Sequence, residues 1–246
     1  MSQLQGPALK LGERDCIITN IMSRLFSFVE GEYYHIFNRG VEKRIVFENA
    51  RDKERFQKLL YLCNGAKAVH FSEMGNNGGD AIYQADQGGP IVAMGAYCLM
   101  SSHFHLLVRG LTPIGISQFM QKLITAYTMY FNIRNHRSGV LFESRFRARH
   151  VKGDEYLKYL YSYIHLNPIE HIEPNWKERC IKNLAKVKQY LADYRYSSFS
   201  DYCGARRPET AILKMSNFPS YFKKRADFLD EIESWLEFQP EKPLLY

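Results

Sequence analysis

The succession of predicted strands and helices along this sequence indicates an α+β fold. Short runs rich in aromatic and β-branched residues, typical of strands, alternate with longer runs whose apolar residues recur at helical spacing. Two of the strands are joined only by Met100-Ser101-Ser102, a connection typical of an antiparallel hairpin. Because the order is strand, helix, strand, strand, helix, we expect an antiparallel sheet with helices on one face, close to a ferredoxin-like or RNA-recognition-like arrangement, with a helical C-terminal extension.

The strands are predicted from short runs that end at turn signals. Residues 33–37 form the first strand, which stops at Asn38-Arg39-Gly40. Residues 91–99 and residues 103–108 form the hairpin. The helices are predicted from apolar stripes, and the predicted helices span residues 49–62, 116–131, 154–166, 181–194 and 220–238.

The chain divides into three predicted parts. Residues 1–30 have weak periodicity and form a peripheral leader, residues 31–202 form the main domain, and residues 203–246 form the helical C-terminal extension. Within the main domain, residues 71–90 contain five glycines and almost no apolar periodicity, which indicates a long loop or hairpin tip.

Composition excludes several classes of protein. The five cysteines contain no C-x-x-C pair and are odd in number, so neither a disulfide framework nor a zinc knuckle is indicated. No apolar run reaches the roughly 18 residues needed to span a bilayer. The net charge of +7 favours a polyanionic partner where the basic residues cluster. We therefore expect a soluble, cytoplasmic protein with no membrane partner.

Two histidines on one strand are candidate metal ligands. Alternation along the strand places His103 and His105 on one face and the intervening Phe104 on the other. Two imidazoles in this arrangement can converge on one divalent cation while the apolar neighbours anchor the strand in the core. The pair carries no third ligand by itself, so two ordinary histidines on a half-buried strand remain the alternative.

Residues 132–150 form the most basic stretch of the chain. Phe142 and Phe146 lie among its arginines, and Glu143 is its single acidic residue. Arginines interleaved with aromatic rings suit phosphate contacts and base stacking on a nucleic acid. A solvated loop with ordinary surface charge is the alternative. With the arginine of the first turn, the predicted DNA-binding residues are Arg39, Arg134, Arg137, Arg145, Arg147 and Arg149.

A tyrosine and an asparagine one turn apart are the next candidates. Tyr163 lies at the flank of the apolar stripe of its helix, and Asn167 follows at or just past the helix end, because Pro168 limits the helix. A hydroxyl and an amide oxygen are thus presented together. Tyr127 and Tyr130 are rival nucleophiles, although Tyr127 continues an apolar stripe and is better explained as core.

Two further histidines are less easily placed. His165 lies between Tyr163 and Asn167 on a different face of the helix, which favours a role at the helix end or in packing. His35 stands on the first strand, and its approach to the other histidines stays open.

Several of these motifs, in this order, resemble one family. The run His103-Phe104-His105, together with residues 163–168, is similar to the single-tyrosine HUH transposases, where U is a bulky apolar residue, and particularly to the REP-associated tyrosine transposase group. The resemblance extends from about residue 31 to residue 199. One departure is Met100-Ser101-Ser102, where such proteins commonly have Met-Pro-Asn.

The resemblance implies a function. It makes His103, His105 and Asn167 the ligands of Mg²⁺ or Mn²⁺ and Tyr163 the nucleophile. The expected activity is cleavage and rejoining of single-stranded DNA through a 5′-phosphotyrosine intermediate, with a hairpin near the cleavage point. The expected state is a monomer or a homodimer.

Two other classes of function remain open. A non-catalytic RNA- or DNA-binding module would keep the arginines and need neither His103 nor Tyr163. A metal-dependent hydrolytic nuclease would use water as the nucleophile and leave no covalent adduct.

Overall fold

The computed structural model describes residues 27–67, 79–179 and 181–237. Most of the predicted leader and much of the glycine-rich segment lie outside these residues. The strands are β1 (Tyr33–Arg39), β2 (Val92–Leu99), β3 (His103–Gly110) and β4 (Arg147–His150). The helices are α1 (Ala50–Leu62), α2 (Gly115–Arg134), α3 (Asp154–Leu166), α4 (Leu184–Asp193), α5 (Phe199–Tyr202) and α6 (Arg225–Glu237).

The four strands form one antiparallel sheet in the order β2-β3-β1-β4. With α1 between β1 and β2, and α2 between β3 and β4, the chain follows the β-α-β-β-α-β pattern of ferredoxin-like folds. The predicted α+β class is therefore confirmed. The β2–β3 hairpin is also confirmed, and it closes with a hydrogen bond from the amide of Met100 to the carbonyl oxygen of His103 at 2.8 Å.

The main core lies between one face of the sheet and helices α1 and α2. Alternate residues of the two central strands, such as Ile36 and Phe104, are fully buried against Phe56 of α1 and Tyr127 of α2. The ring centroids of Phe56 and Phe104 are 5.0 Å apart. The strict alternation of β1 and β3 thus assigns their even-numbered residues to this core face.

The second face of the sheet is covered by α3, so the expected arrangement with helices on one face describes only α1 and α2. Leu157, Leu160 and Ile164 of α3 pack against Ala93, Ala96 and other residues of this face. All eight residues of β2 are buried because this strand lies between helices on both sides. Its alanines permit the close approach of α3.

The C-terminal helices pack on the outer side of α3. Phe228 and Ile232 of α6 join Leu191 of α4 and Phe199 of α5 in a separate apolar cluster. The ring of Phe218 seats directly on Gly95 of β2, where a Cβ atom would stand 2.7 Å from the ring. Gly95 lies at the register shift between Met94 and Ala96, so a missing side chain and a bulge together make room for this ring.

Strand β4 lies in the stretch that the sequence predicted only as a basic segment. Its residues pair with β1, with His35 opposite Arg149 and Phe37 opposite Arg147. The run Arg-Ala-Arg-His has none of the β-branched residues that predict a strand. It is held as an edge strand by pairing, and this pairing brings part of the basic segment onto the sheet. None of the described helices is both long and apolar enough to cross a membrane.

Candidate functional site

The candidate site lies on the sheet face that α3 partly covers. On β1 and β3, the odd-numbered residues point to this face, and the register places Phe37 opposite His105 and Arg39 opposite His103. His35 lies on the same face, two residues before Phe37 on β1. The two predicted ligand histidines therefore share their surface with His35, Phe37 and Arg39.

Each of the two histidines predicted as ligands is held through its Nδ1 atom. His35 Nε2 lies 2.9 Å from His105 Nδ1, and Ser102 Oγ lies 3.1 Å from His103 Nδ1. The ring centroids of His103 and His105 are 5.1 Å apart. Because the Nδ1 atoms are engaged, both Nε2 atoms are the ring nitrogens left for another partner.

Burial keeps these imidazoles neutral near pH 7. Desolvation lowers the pKa of His103 to about 4, with the charge of Arg39 as the next cause. It lowers the pKa of His35 to about 3, and it holds the pKa of His105 well below its usual range. A neutral imidazole has the free lone pair that a metal ion requires.

The tyrosine of α3 stands over these histidines. The ring centroid of Tyr163 is 5.5 Å from that of His105 and 5.7 Å from that of His35, and both contacts are edge to face. Tyr163 is half-buried. Burial is the largest cause that raises the pKa of its phenol, and the positive charge of Arg149 acts in the opposite direction. The structure thus brings Tyr163, His105 and His35 together.

Asn167 follows directly after α3, in the one-turn helix Asn167–His171 that contains Pro168. Its Nδ2 donates a hydrogen bond of 2.7 Å to the carbonyl oxygen of Tyr163, one turn earlier. This bond commits the nitrogen end of the amide to the helix backbone. The amide oxygen Oδ1 is on the other side of the group, and it is the atom that a hard cation prefers.

The donor set fits a divalent cation in its chemistry. Among the described residues, no three His, Cys, Asp or Glu side chains converge on one point, so a third protein ligand would have to be of another type. The amide oxygen of Asn167, one turn after Tyr163, is a donor of another type. Two neutral imidazoles and an amide oxygen suit Mn²⁺, and also Mg²⁺ when water and substrate oxygens complete its shell.

A lysine that sequence reasoning missed also reaches the site. The Nζ atom of Lys177 lies 4.4 Å from the centroid of the Tyr163 ring. Its charge also lowers the pKa of His103 and of His105. Lys177 comes from an irregular segment after Pro174, and no sequence pattern places such a residue against a site formed by strands.

The rival tyrosines lie on the other side of the sheet. Tyr127 is fully buried, and its hydroxyl donates to the carbonyl oxygen of Val46 at 2.5 Å. The hydroxyl of Tyr130 donates to the Asp52 carboxylate at 2.9 Å. Both belong to the core formed with α1 and α2, as predicted for Tyr127. His165 is fully buried, and its Nε2 atom lies 2.7 Å from Ser198 Oγ. His165 therefore has a packing role inside the protein.

The predicted DNA-binding arginines fall into two groups. Arg134 forms an ion pair with the buried Asp52, and Arg137 bonds to Asn132 Oδ1 at 2.7 Å and to the carbonyl oxygen of Val140 at 3.0 Å. The guanidinium groups of these two residues thus already have partners within the protein. The sequence does not show the pairing of Arg134 with Asp52, because the two residues are 82 positions apart.

The second group lies at the site face or beside it. Arg39 and Arg149 are exposed residues of β1 and β4, and Arg145 is exposed in the loop before β4. Asn38 holds this loop, because its Nδ2 donates to the carbonyl oxygens of Ser144 and Arg145 at 2.9 and 3.1 Å. Arg147 lies 3.2 Å from Glu143 in a partly exposed ion pair, which a phosphate can displace at little cost.

Residues 86–167 match the family model described as "Transposase IS200 like". This third of the chain resembles the IS200-like transposases. It contains β2, β3, α2, β4 and α3, and with them His103, His105, Tyr163 and Asn167. The match confirms the resemblance predicted from the sequence at the level of this family, and it supports a role in DNA transposition.

The other two comparisons add less. A solved structure described as "Structure of the REP associates tyrosine transposase bound to a REP hairpin" is similar to this chain with a TM-score of 0.42 and 13% sequence identity. The alignment covers 76% of this chain and 88% of the other. No curated protein matches the sequence.

Proposed function

We propose that the protein is a metal-dependent transposase or nickase that cleaves and rejoins single-stranded DNA through a 5′-phosphotyrosine intermediate. The observation that carries this proposal is the position of Tyr163, whose ring lies 5.5 Å from that of His105 on the face that also carries His103. The proposed nucleophile and the two proposed nitrogen ligands therefore belong to one face of the sheet. The family match of residues 86–167 supports the same reaction class.

In this proposal His103, His105 and Asn167 hold the cation, with Nε2 of each histidine and Oδ1 of the asparagine as the ligand atoms. A Mg²⁺ or Mn²⁺ ion bound there would make the scissile phosphate more electrophilic and neutralise charge that develops on it. The protein supplies the rest by positioning, because β3 and α3 are packed against each other and hold the ligands and Tyr163 in a fixed relation.

The reaction of Tyr163 is a phosphodiester exchange. The phenol loses its proton as its oxygen attacks the phosphorus, the Tyr–O–P bond forms, and the P–O3′ bond breaks. The leaving 3′ oxygen gains a proton. Because one phosphodiester replaces another, attack by a 3′-hydroxyl on the phosphotyrosine can rejoin strands without ATP. Burial raises the pKa of Tyr163, and the positive charge of Arg149 acts in the opposite direction and favours the phenolate.

The DNA strand would follow the open part of the same face. Arg39 and Arg149 flank the half-buried ring of Phe37, which lies between His105 on one neighbouring strand and Arg147 on the other. Guanidinium groups would contact phosphates, while an aromatic ring on a sheet would stack with a base. We propose Arg39, Arg145, Arg147 and Arg149 as the phosphate contacts and exclude Arg134 and Arg137. The favoured partner is single-stranded DNA with a hairpin near the cleavage point.

The substitution Tyr163→Phe tests the proposal, since it removes one oxygen and preserves the ring. Wild-type protein incubated with a cognate single strand and Mn²⁺ should form a protein–DNA adduct that survives SDS, and the modified peptide should contain Tyr163. The variant should bind the same DNA with nearly unchanged affinity and form no adduct.

Tyr159→Phe is the matched control, because Tyr159 lies one turn earlier on α3 with its ring centroid 6.0 Å from that of Tyr163. The Tyr159→Phe variant should still form the protein–DNA adduct. Cleavage by the Tyr163→Phe variant at the wild-type rate, with no adduct in either protein, would make water the nucleophile and favour a hydrolytic nuclease. DNA binding without any cleavage by the wild-type protein would favour a non-catalytic binding module.

A further inference from the structure

We infer that His35 is a positioning residue for the cation site: it holds the imidazole of His105 through Nδ1 and thereby directs Nε2 of His105 to the cation. This inference rests on the proposed function, because it concerns the same site. It assigns a role to a histidine outside the ligand set, on a different strand.

The geometry of the histidine pair supports this role. His35 Nε2 and His105 Nδ1 are 2.9 Å apart, and the two rings are stacked with centroids 5.1 Å apart. Both residues are buried, with only 5% and 6% of their surface exposed. They stand on β1 and β3, the two central strands of the sheet, so both backbones are held by hydrogen bonds on each side.

The hydrogen bond also selects one tautomer. In a neutral imidazole one ring nitrogen carries the proton and the other carries the lone pair. If Nε2 of His105 binds a cation, the proton of His105 must be on Nδ1, which then donates to Nε2 of His35. The proton of His35 is in turn on its Nδ1. One arrangement of protons therefore satisfies both the hydrogen bond and the ligand role.

His35 is not itself a ligand in this arrangement, since its Nε2 is occupied by His105. The absence of a convergent set of three His, Cys, Asp or Glu groups in the described part of the chain agrees with this. A partner that orients a ligand histidine typically contributes 10- to 100-fold in metal affinity.

His103 provides an internal comparison. Its Nδ1 is held by Ser102 Oγ at 3.1 Å, but Ser102 is only partly buried in the turn between β2 and β3. Water can replace the hydroxyl there, whereas no water is expected to replace His35 between two central strands. The two orienting contacts should therefore differ in importance.

Titration of the full-length protein with Mn²⁺, followed by electron paramagnetic resonance, tests the inference. His35→Leu replaces the imidazole with an apolar side chain and removes the hydrogen bond, and it should weaken Mn²⁺ binding by about 10- to 100-fold. His35→Gln places an amide near the former Nε2 position and should recover part of this loss. Ser102→Ala, the matched control, should change affinity by less than about threefold, as expected for a contact that water replaces.

Two outcomes would overturn the inference. Unchanged Mn²⁺ affinity in His35→Leu would show that the pair is only a packing contact. A complete loss of binding, equal to that of His105→Ala and not recovered by His35→Gln, would make His35 a ligand. A wild-type protein that binds no Mn²⁺ would overturn both this inference and the proposed cofactor, so the two failures are distinguishable.

A second measurement avoids any variant that fails to fold. In the wild-type protein with Mg²⁺, long-range ¹H–¹⁵N correlation spectra report which nitrogen of each histidine carries the proton. We expect His105 to be protonated at Nδ1. A proton on Nε2 of His105 would contradict the inference.

Discussion

The two faces of strand β1 carry aromatic and polar residues that have different surroundings. Tyr34, Ile36 and Asn38 face the helices α1 and α2, where the first two fill the core and Asn38 anchors the loop before β4. His35 and Phe37 face the other side and meet the predicted ligand His105. The alternation of a strand, which moves a side chain to the opposite face at each step, thus separates the core from the proposed site.

The same separation applies to residues far from β1. Tyr127 and Tyr130 belong to the core side, while Tyr163 stands beside the histidines. Arg134 pairs with a buried carboxylate on the core side, while Arg149 lies on the site side and acts on the pKa of Tyr163. Residue type alone therefore does not show whether a tyrosine or arginine belongs to the core or to the proposed site. The face of the sheet on which the residue lies does show this.

The largest expected effect comes from the two histidines that we propose as ligands. His103→Ala or His105→Ala should reduce Mn²⁺-dependent cleavage by more than about 100-fold, beyond the effect typical of an orienting partner. Asn167→Ala should reduce it less, because one neutral amide is a weaker ligand than an imidazole. Cleavage of a labelled single strand, resolved on a denaturing gel, measures this.

DNA affinity serves as the control for these variants. It should stay close to the wild-type value, since these variants keep all of the arginines that would contact DNA. If a variant with both His103→Ala and His105→Ala cleaves DNA at the wild-type rate, the face that carries these histidines has no role in catalysis. The two faces of the sheet would then not differ in function.

The next effect concerns stability and tests the core side. Arg134→Ala removes the cation that faces Asp52, whose side chain is fully buried, while the Arg134 side chain is 27% exposed. Asp52 keeps its bonds from the Tyr130 hydroxyl and the Glu48 amide, so the expected loss in the free energy of unfolding is about 2–3 kcal/mol, below the 3–5 kcal/mol of a fully buried pair. Urea denaturation measures it.

Arg145→Ala is the matched control, because Arg145 is exposed in the same basic segment. It should change the free energy of unfolding by less than about 0.5 kcal/mol. Equal stability of the two variants would mean that Arg134 is a surface arginine after all, and would return it to the set of DNA contacts.

The elements with regular patterns were predicted well from the sequence. The predicted helix over residues 154–166 has the observed bounds of α3, and Asn49 is the observed cap of α1, where its side chain accepts a hydrogen bond from the amide of Asp52. Strand β4 was missed because its four residues depend on pairing with β1 rather than on their own propensity. Local patterns predict local structure, and they do not predict an edge strand held by its neighbour.

The candidate site shows the same limit. The motif residues His103, His105, Tyr163 and Asn167 could be chosen from spacing and family resemblance. The contact of His35 with His105 joins residues 70 positions apart, and that of Arg134 with Asp52 joins residues 82 positions apart. Such pairs depend on the strand register and on helix packing, which the sequence specifies only through the complete fold.

The smallest expected effect is on DNA affinity, and it tests the site side with a single arginine. Arg149→Ala removes one exposed charge beside Tyr163, and it should weaken binding of single-stranded DNA severalfold. If Arg149 contacts one phosphate, the slope of log affinity against log salt concentration should become shallower by about 0.7, the value for one contact on a single strand. Fluorescence anisotropy at several salt concentrations measures both quantities.

Arg137→Ala is the matched control, since Arg137 lies in the same basic segment but bonds to Asn132 and to the backbone of Val140. It should leave the slope unchanged. A shallower slope for Arg137→Ala together with an unchanged slope for Arg149→Ala would place the DNA on the other side of the sheet, away from Tyr163, and would contradict a cleavage site on the face of His103 and His105.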